Sequence, residues 1–299
     1  MTYPILIGGC GSSGTTLLRK MLNSHPNIAC GPEMSVFDRP LMYRESIDYL
    51  YTLWRAQDFD PLDSGCIYPL RINNRMVADL SYCGLVHDNH MKFYHPVEKV
   101  DSFFNDVSSI PEFLDFFFST WAEGQKKERW AEKTPNNIFC ADQWLEAYPD
   151  GVFINVIRDG RDAILSMNLR RRIPIYVATY RWIAAVNKWF ELLGTEAKMA
   201  KKPTDIRIIT IKYEDLVLNT EQCLKNLCQF IGEEYTSDML YYYEKECADD
   251  KESGLQYANE PVHEESIGRW EKNDYDKTIL DQIMMGIKPL LIKMAYVTE

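Results

Sequence analysis

The chain has 299 residues, of which 46% are hydrophobic and 26% charged, with a formal charge of −11 at pH 7 and a pI near 5.1. That balance suits a soluble globular chain with a sizeable core. It speaks against nucleic acid as a partner, because an acidic protein repels a phosphate backbone and must hold any anionic ligand with a local cluster of cations.

In chain order, the first apolar stretch is Pro4-Ile5-Leu6-Ile7. It is shorter than the roughly 7–15 residues of a secretory core, and no later run approaches the roughly 18 residues of a membrane span. Eight cysteines (10, 30, 66, 83, 140, 223, 228 and 247) lack CxxC spacing. They read as reduced thiols, so the expected setting is cytoplasmic. Cys10 could be reactive, although a small buried thiol is the commoner case.

Strands are predicted at Ile5–Gly9, at Val152–Ile157 after the turn signal Pro149-Asp150-Gly151, and at Ile206–Ile211 after Lys202-Pro203-Thr204-Asp205. Helical spacing predicts Thr15–Leu22, Arg161–Leu169, Tyr176–Lys198 and Asn219–Ile231. The alternation implies an α/β fold, a P-loop-type doubly wound parallel sheet flanked by helices. Residues 1–299 read as one domain. Within it, about 40–125 is rich in Phe, Tyr and Trp and is expected to be a mostly helical insertion that caps the acceptor side. Ala248–Pro261 reads as a long loop, a length that is usually functional or disordered.

Two motifs carry chemistry. In GGCGSSGTT, Gly9 and Gly14 have the spacing of a phosphate-binding loop, but Thr15 stands where its lysine would be. A strand turning into a helix through glycines presents several backbone N–H groups at a helix N-terminus, which suits an anion with or without lysine. The hydroxyls of Ser12, Ser13, Thr15 and Thr16 add donors there. The second motif, IRDGRDAILSMNLR, places Arg158 at a strand's C-terminal end, where ligands of open α/β sheets gather. Ser166 and Arg170 share a helix face four residues apart. Two arginines and a hydroxyl suit a second phosphate, while a solvated basic helix start explains Arg171 and Arg172.

Two separated phosphate sites describe one ligand with two phosphates, and here the chain resembles the sulfotransferase superfamily. That superfamily uses 3′-phosphoadenosine 5′-phosphosulfate (PAPS). The tyrosylprotein sulfotransferases and their bacterial relatives are the most similar branch. The stretches that carry the resemblance are GGCGSSGTTLLRKMLNSHPNIACGPE, WAEKTPNNI, IRDGRDAILSMNLR, IKYEDLV and EPVHEESIGRW, in the family's order.

The resemblance implies that Gly11, Ser12, Ser13, Gly14, Thr15 and Thr16 hold the 5′-phosphosulfate. It implies that Arg158, Ser166 and Arg170 hold the 3′-phosphate, and that Tyr213 and Arg269 contact the nucleotide. The Ser253–His263 loop would close over it. Glu33 falls on the family's catalytic base and Lys133 on a catalytic lysine. Adenosine 3′,5′-bisphosphate would be the product, and no metal is required. One departure stands out: most relatives carry Lys or Arg at the position of Ser12. The leaving-group role then falls to Lys133 alone, or to another cation such as Arg19 or Arg170.

Other readings remain open at this level. Glu33 could be a plain turn residue and Lys133 a surface lysine. A histidine of the cluster His87, His90 and His95 could be the base, and as metal ligands the three are too few and too loosely spaced. A P-loop kinase would need a lysine at position 15, and an inactive nucleotide-binding protein has Ser12 as its only hint. The acceptor is a hydroxyl compound. An acidic chain disfavours acidic peptides, so a small, lipid or sterol-like alcohol is preferred over peptide tyrosine. A homodimer is compatible with the chain but is not legible in it.

Overall fold

In the computed structural model, the structure describes residues 3–34, 36–37, 46–48, 50–51, 71–72, 75–76, 94–202, 205–244, 260–272 and 275–298. Five short strands form the main sheet: Ile5–Gly9 (β1), Ile28–Cys30 (β2), Arg129–Lys133 (β3), Val152–Ile157 (β4) and Ile208–Lys212 (β5). Their order is β2-β3-β1-β4-β5, and every neighbouring pair is parallel. Arg71–Ile72 and Arg75–Met76 form a separate antiparallel pairing.

Side chains alternate through the sheet into two cores, as the period of a strand requires. Ile5, Ile7, Ile28, Cys30, Ala131, Ile154 and Val156 face one cluster. There they meet Leu18, Met21 and Leu22 of helix α1 (Thr15–Asn23) and further apolar residues late in the chain. Leu6, Ala29, Trp130 and Phe153 face the other cluster. With apolar residues on both faces the strands read as near-continuous hydrophobic runs, which is why β1 and β4 were legible from sequence.

The second face is covered by more of the chain. Its described helices include Val97–Phe103 (α2), Ile110–Gly124 (α3), Ala141–Ala147 (α4), Gly160–Arg171 (α5) and Ile175–Met199 (α6). Aromatic rings fill the space between α3, α4 and β3: Phe37 stacks on Trp130 at 5.8 Å, and Phe118 on Trp130 at 5.1 Å. Most of the expected 40–125 insertion lies outside the described residues, and its described end, α2 and α3, is helical.

The remaining elements are Tyr213–Leu218 (α7), Thr220–Ile231 (α8), Arg269–Lys272 (α9) and Lys277–Lys293 (α10). Leu224, Leu227, Cys228 and Ile231 of α8 complete the first core. The α10 helix seats Ile283, Ile287 and Leu291 in the second.

Two strands depart from the expected pattern. The last strand begins at Ile208: the Arg207 N–H is taken by Glu196 Oε1 at 2.8 Å, and its guanidinium turns to the carbonyls of Leu145 and Pro149 at 2.9 Å each. Strand β3 breaks the apolar rule, with three charges in five residues, yet all five are buried. Partners compensate: Arg129 donates to the carbonyls of Tyr3 and Ile231 at 2.6 Å and pairs with Glu233 at 2.9 Å.

Candidate active site

The ends of the five strands bring the sequence-derived residues to one edge of the sheet. The donor loop follows β1, Glu33 follows β2, Lys133 ends β3, Arg158 follows β4 and Tyr213 follows β5. The register sets them in depth: Ile7, three residues before Cys10, lies opposite Lys133 on one side and Ile154 on the other.

The donor loop is self-bonded. Ser13 donates its amide (3.2 Å) and its hydroxyl (2.7 Å) to the Cys10 carbonyl. Its hydroxyl therefore shapes the turn and is not aimed outward with those of its neighbours. Gly14 caps α1 at φ 97°, a left-handed conformation that costs a non-glycine residue about 1–2 kcal/mol. The helix start has no side-chain cap and no acidic residue in its first turn. Its first N–H groups thus face the loop's mouth with a partial positive charge and no competing acceptor. Thr15 is buried, while Ser12 and Thr16 are partly exposed. Cys10 is buried, and its thiol is pushed up to about 12 by desolvation, so it is not a thiolate at neutral pH.

Arg158 is the hub of the other half. Its Nη1 donates to the Ser12 carbonyl at 3.0 Å, and its Nη2 donates to the Ser266 carbonyl. Its guanidinium carbon stands 4.5 Å from the centroid of the Tyr213 ring, a cation–π contact. The same ring backs Gly14, where a Cβ would run into it. Arg158 Nε is buried and lacks a hydrogen-bond partner among the described residues. A cation held over an aromatic ring beside an uncapped helix start, with one N–H still unused, fits a ligand with two anionic ends.

Asp162, one helical turn on, fixes the late segment. Its carboxylate accepts the backbone N–H groups of Gly268 (2.8 Å) and Trp270 (3.0 Å). Arg161 stacks over Trp270 at 3.8 Å and is held by Asp159 at 2.6 Å. Asp159 also accepts the Arg161 N–H at 2.9 Å, so it caps α5 as a turn residue should. The segment carrying Arg269 is thereby fastened to the strand end that carries Arg158. Arg269 itself is partly exposed and donates to the Glu265 carbonyl at 3.0 Å. Ser166 is buried within α5, and Arg170 is exposed in its last turn. Residues 253–259 of the expected closing loop lie outside the described residues.

On the other side of the donor loop, Lys133 Nζ donates to Glu33 Oε2 at 2.7 Å. The lysine is buried and the carboxylate is about one-third exposed. Two anchors hold the turn that carries Glu33. The Tyr94 hydroxyl donates to the Pro32 carbonyl at 2.6 Å, and the Met34 N–H donates to Glu132 Oε1 at 3.1 Å. Gly31 admits the first: a Cβ there would lie 2.5 Å from the Tyr94 oxygen.

Of the histidines, His95 is buried between Phe103 and Phe117 and bonds the Phe117 carbonyl at 2.8 Å. Desolvation holds it below the usual imidazole range, and it is a core residue. His87 and His90 lie outside the described residues.

The profile of the sulfotransferase family matches residues 4–237. The chain belongs to the sulfotransferase family. Among relatives of this chain, the protein-tyrosine sulfotransferase of Drosophila melanogaster is 22% identical over 98% of the chain and 51% of its own length. Protein-tyrosine sulfotransferase 1 of Danio rerio is 24% identical over 98% of the chain and 72% of its own. The chain thus spans about half the length of the Drosophila relative. Among solved structures, the sulfotransferase domain from the Synechococcus PCC 7002 olefin synthase aligns with a TM-score of 0.66. It shares 17% identity over 97% of this chain and 96% of its own. The sulfotransferase domain from the curacin biosynthetic pathway aligns at 0.60, with 17% identity over 96% and 98%. These place the sheet and its helices in the sulfotransferase fold, and family membership removes the kinase reading.

Sequence reasoning did not single out Glu132, Thr134 and Asn137, which lie around Lys133, nor Asp162 and Tyr94. The signal for the first was present: a glutamate beside a lysine inside a stretch with strand character.

Proposed function

We propose that this sulfotransferase moves a sulfuryl group from PAPS to a hydroxyl acceptor by in-line displacement and releases adenosine 3′,5′-bisphosphate. The observation that carries the reading is Arg158, whose one guanidinium spans the donor loop at Ser12, the Tyr213 ring and the late segment at Ser266. In this reading Gly11, Ser12, Gly14, Thr15 and Thr16 receive the phosphosulfate end on backbone N–H groups and hydroxyls, and Ser13 keeps the loop in shape. Arg158 and Tyr213, with Ser166, Arg170 and Arg269, receive the 3′-phosphate end. A phosphate competes with the Ser266 carbonyl for Arg158, because it is an anion that can accept both arms of the guanidinium fork.

The transfer breaks the bond from sulfur to the bridging phosphate oxygen and forms one from sulfur to the acceptor oxygen. Donors aimed at the equatorial oxygens stabilise the charge that develops there, as in phosphoryl transfer. Glu33 takes the acceptor's proton. Lys133 turns from Glu33 towards the leaving oxygen, taking the role that a cation at position 12 would otherwise fill. No step needs a metal.

A small or lipid-like alcohol is the preferred acceptor, because a chain of charge −11 disfavours acidic peptides. The second reading, a peptide tyrosine, is favoured by the names of the relatives that match 98% of the chain. A cytoplasmic setting is part of the first reading, supported by the free thiols of Cys10, Cys30, Cys140, Cys223 and Cys228 among the described residues. No helix among those residues is long and apolar enough to cross a membrane.

The test is radiolabelled PAPS offered with 4-nitrophenol, dodecanol, cholesterol and a tyrosine-containing acidic peptide. Label on an alcohol supports the first reading, and label confined to the peptide supports the second. Tight binding of adenosine 3′,5′-bisphosphate with no label on any acceptor contradicts both and points to a non-catalytic nucleotide-binding chain.

A further inference from the structure

Glu132 is fully buried, yet among the described residues no cation forms an ion pair with it. A buried carboxylate costs several kcal/mol of desolvation unless hydrogen bonds satisfy it, and for packing alone an apolar side chain would serve. Its donors come from separate segments. Oε1 accepts the Met34 N–H at 3.1 Å and the Thr134 hydroxyl at 2.7 Å. Oε2 accepts Asn137 Nδ2 at 2.7 Å, and that same nitrogen donates to the Ile7 carbonyl at 3.0 Å. Directly and through Asn137, one carboxylate therefore ties the segment after β2 and the end of β3 to the middle of β1. Met34 follows Glu33, Thr134 follows Lys133, and Ile7 precedes the donor loop.

We propose that Glu132 is a positioning residue for the transfer step: through Met34, Thr134 and Asn137 it fixes Glu33 and Lys133 relative to each other and to the donor loop. The proposal rests on the reading of Glu33 as base and Lys133 as leaving-group cation. Glu132 points away from both. Side chains alternate along β3, so Lys133 lies on one face of the sheet while Glu132 lies on the face of Trp130, among the aromatic rings. It reaches the reacting groups through the backbone they share with its donors, and its charge is also felt at Glu33, which is why T134V, with the carboxylate in place, belongs in the test. Because reactive geometry is sensitive to shifts of about 1 Å, worth about 10²-fold in rate, loss of this tie reads out in turnover before it reads out in binding.

The experiment compares E132Q, T134V and E33Q with the wild type, using the fastest acceptor of the panel above. It measures kcat, the acceptor KM, the Kd for adenosine 3′,5′-bisphosphate and the Tm. In E132Q an amide NH2 replaces one acceptor and faces a donor. The expected result is a kcat lower by about 10²-fold, with KM and Kd within about three-fold of wild type. T134V, which removes one donor and leaves the carboxylate in place, keeps the measurement available should E132Q not fold; its expected kcat is lower by about ten-fold, with Kd unchanged. Wild-type kcat in a folded E132Q or in T134V overturns the proposal, as does a kcat loss matched by equal losses in nucleotide affinity. If E33Q is inactive while E132Q is not, only the positioning role fails. If E33Q turns over normally, the base assignment fails, and the positioning role with it.

Discussion

The burial of Glu132 makes a prediction that depends on no substrate. Its carboxyl is pushed up from the ordinary 4.5 to about 7, chiefly by desolvation and only partly offset by its hydrogen bonds from Asn137, Thr134 and Met34. In the unfolded chain it releases its proton near 4.5, and in the native chain only near 7. Between those values the folded state holds the extra proton, so rising pH favours unfolding. A shift of that size is worth about 3 kcal/mol, about three-quarters of it lost between about pH 5 and about pH 8. The remaining titratable groups are shared by the wild type and E132Q, so the difference between their unfolding free energies reads this carboxyl together with its charge coupling to Glu33. Urea denaturation across that range should show the wild type losing about 2–3 kcal/mol relative to E132Q as pH rises. A difference that stays flat, or that moves the other way, would mean that Glu132 ionises as an ordinary carboxyl and that its burial is not the governing effect.

Three further outcomes follow from the site. E33Q should keep its affinity for adenosine 3′,5′-bisphosphate and lose about 10²- to 10⁴-fold in kcat, the usual range for removing a general base. G14A should weaken nucleotide binding by at least about ten-fold, measured by calorimetry, because the left-handed φ is strained and the new Cβ meets the Tyr213 ring. D162N replaces one acceptor oxygen with a donor, leaving the N–H of Gly268 or of Trp270 without its partner at a cost of about 1–3 kcal/mol. Amide exchange at Ser266–Trp270 should then quicken while the sheet remains protected; equal exchange in wild type and D162N would show that the late segment is held by something else.

Much of the frame was legible because it follows from local chemistry. β1 and β4 are apolar runs between turn signals, α1, α6 and α8 carry clear periodicity, and α5, buried at every residue from Gly160 to Met167, was legible from its place after the Asp159-Gly160 turn. The donor loop announced itself through glycine spacing, and Gly14 does take up the left-handed conformation that only glycine adopts cheaply. What escaped was set by contacts between distant segments. β3 hides behind Arg129, Glu132 and Lys133, whose partners lie far away in sequence: Glu233 about a hundred residues later, Met34 and Glu33 about a hundred earlier. Asp162 looks like an ordinary first-turn acid of a helix, and its role appears only when Gly268 and Trp270 fold back on it. The hydroxyl of Ser13 reads as a ligand donor in the motif, whereas the fold spends it on the Cys10 carbonyl.

The most direct test of the donor site is a cycle between the 3′-phosphate of the ligand and Arg158. Calorimetry would compare adenosine 3′,5′-bisphosphate with adenosine 5′-monophosphate, on the wild type and on R158A. A charge-assisted hydrogen bond is worth about 1.5–3 kcal/mol, so the wild type should prefer the bisphosphate by at least about 10- to 100-fold, and R158A should lose about that factor, keeping only the preference that Ser166, Arg170 and Arg269 supply. An unchanged preference in R158A would mean that the guanidinium spanning Ser12, Tyr213 and Ser266 serves the fold and never meets the nucleotide.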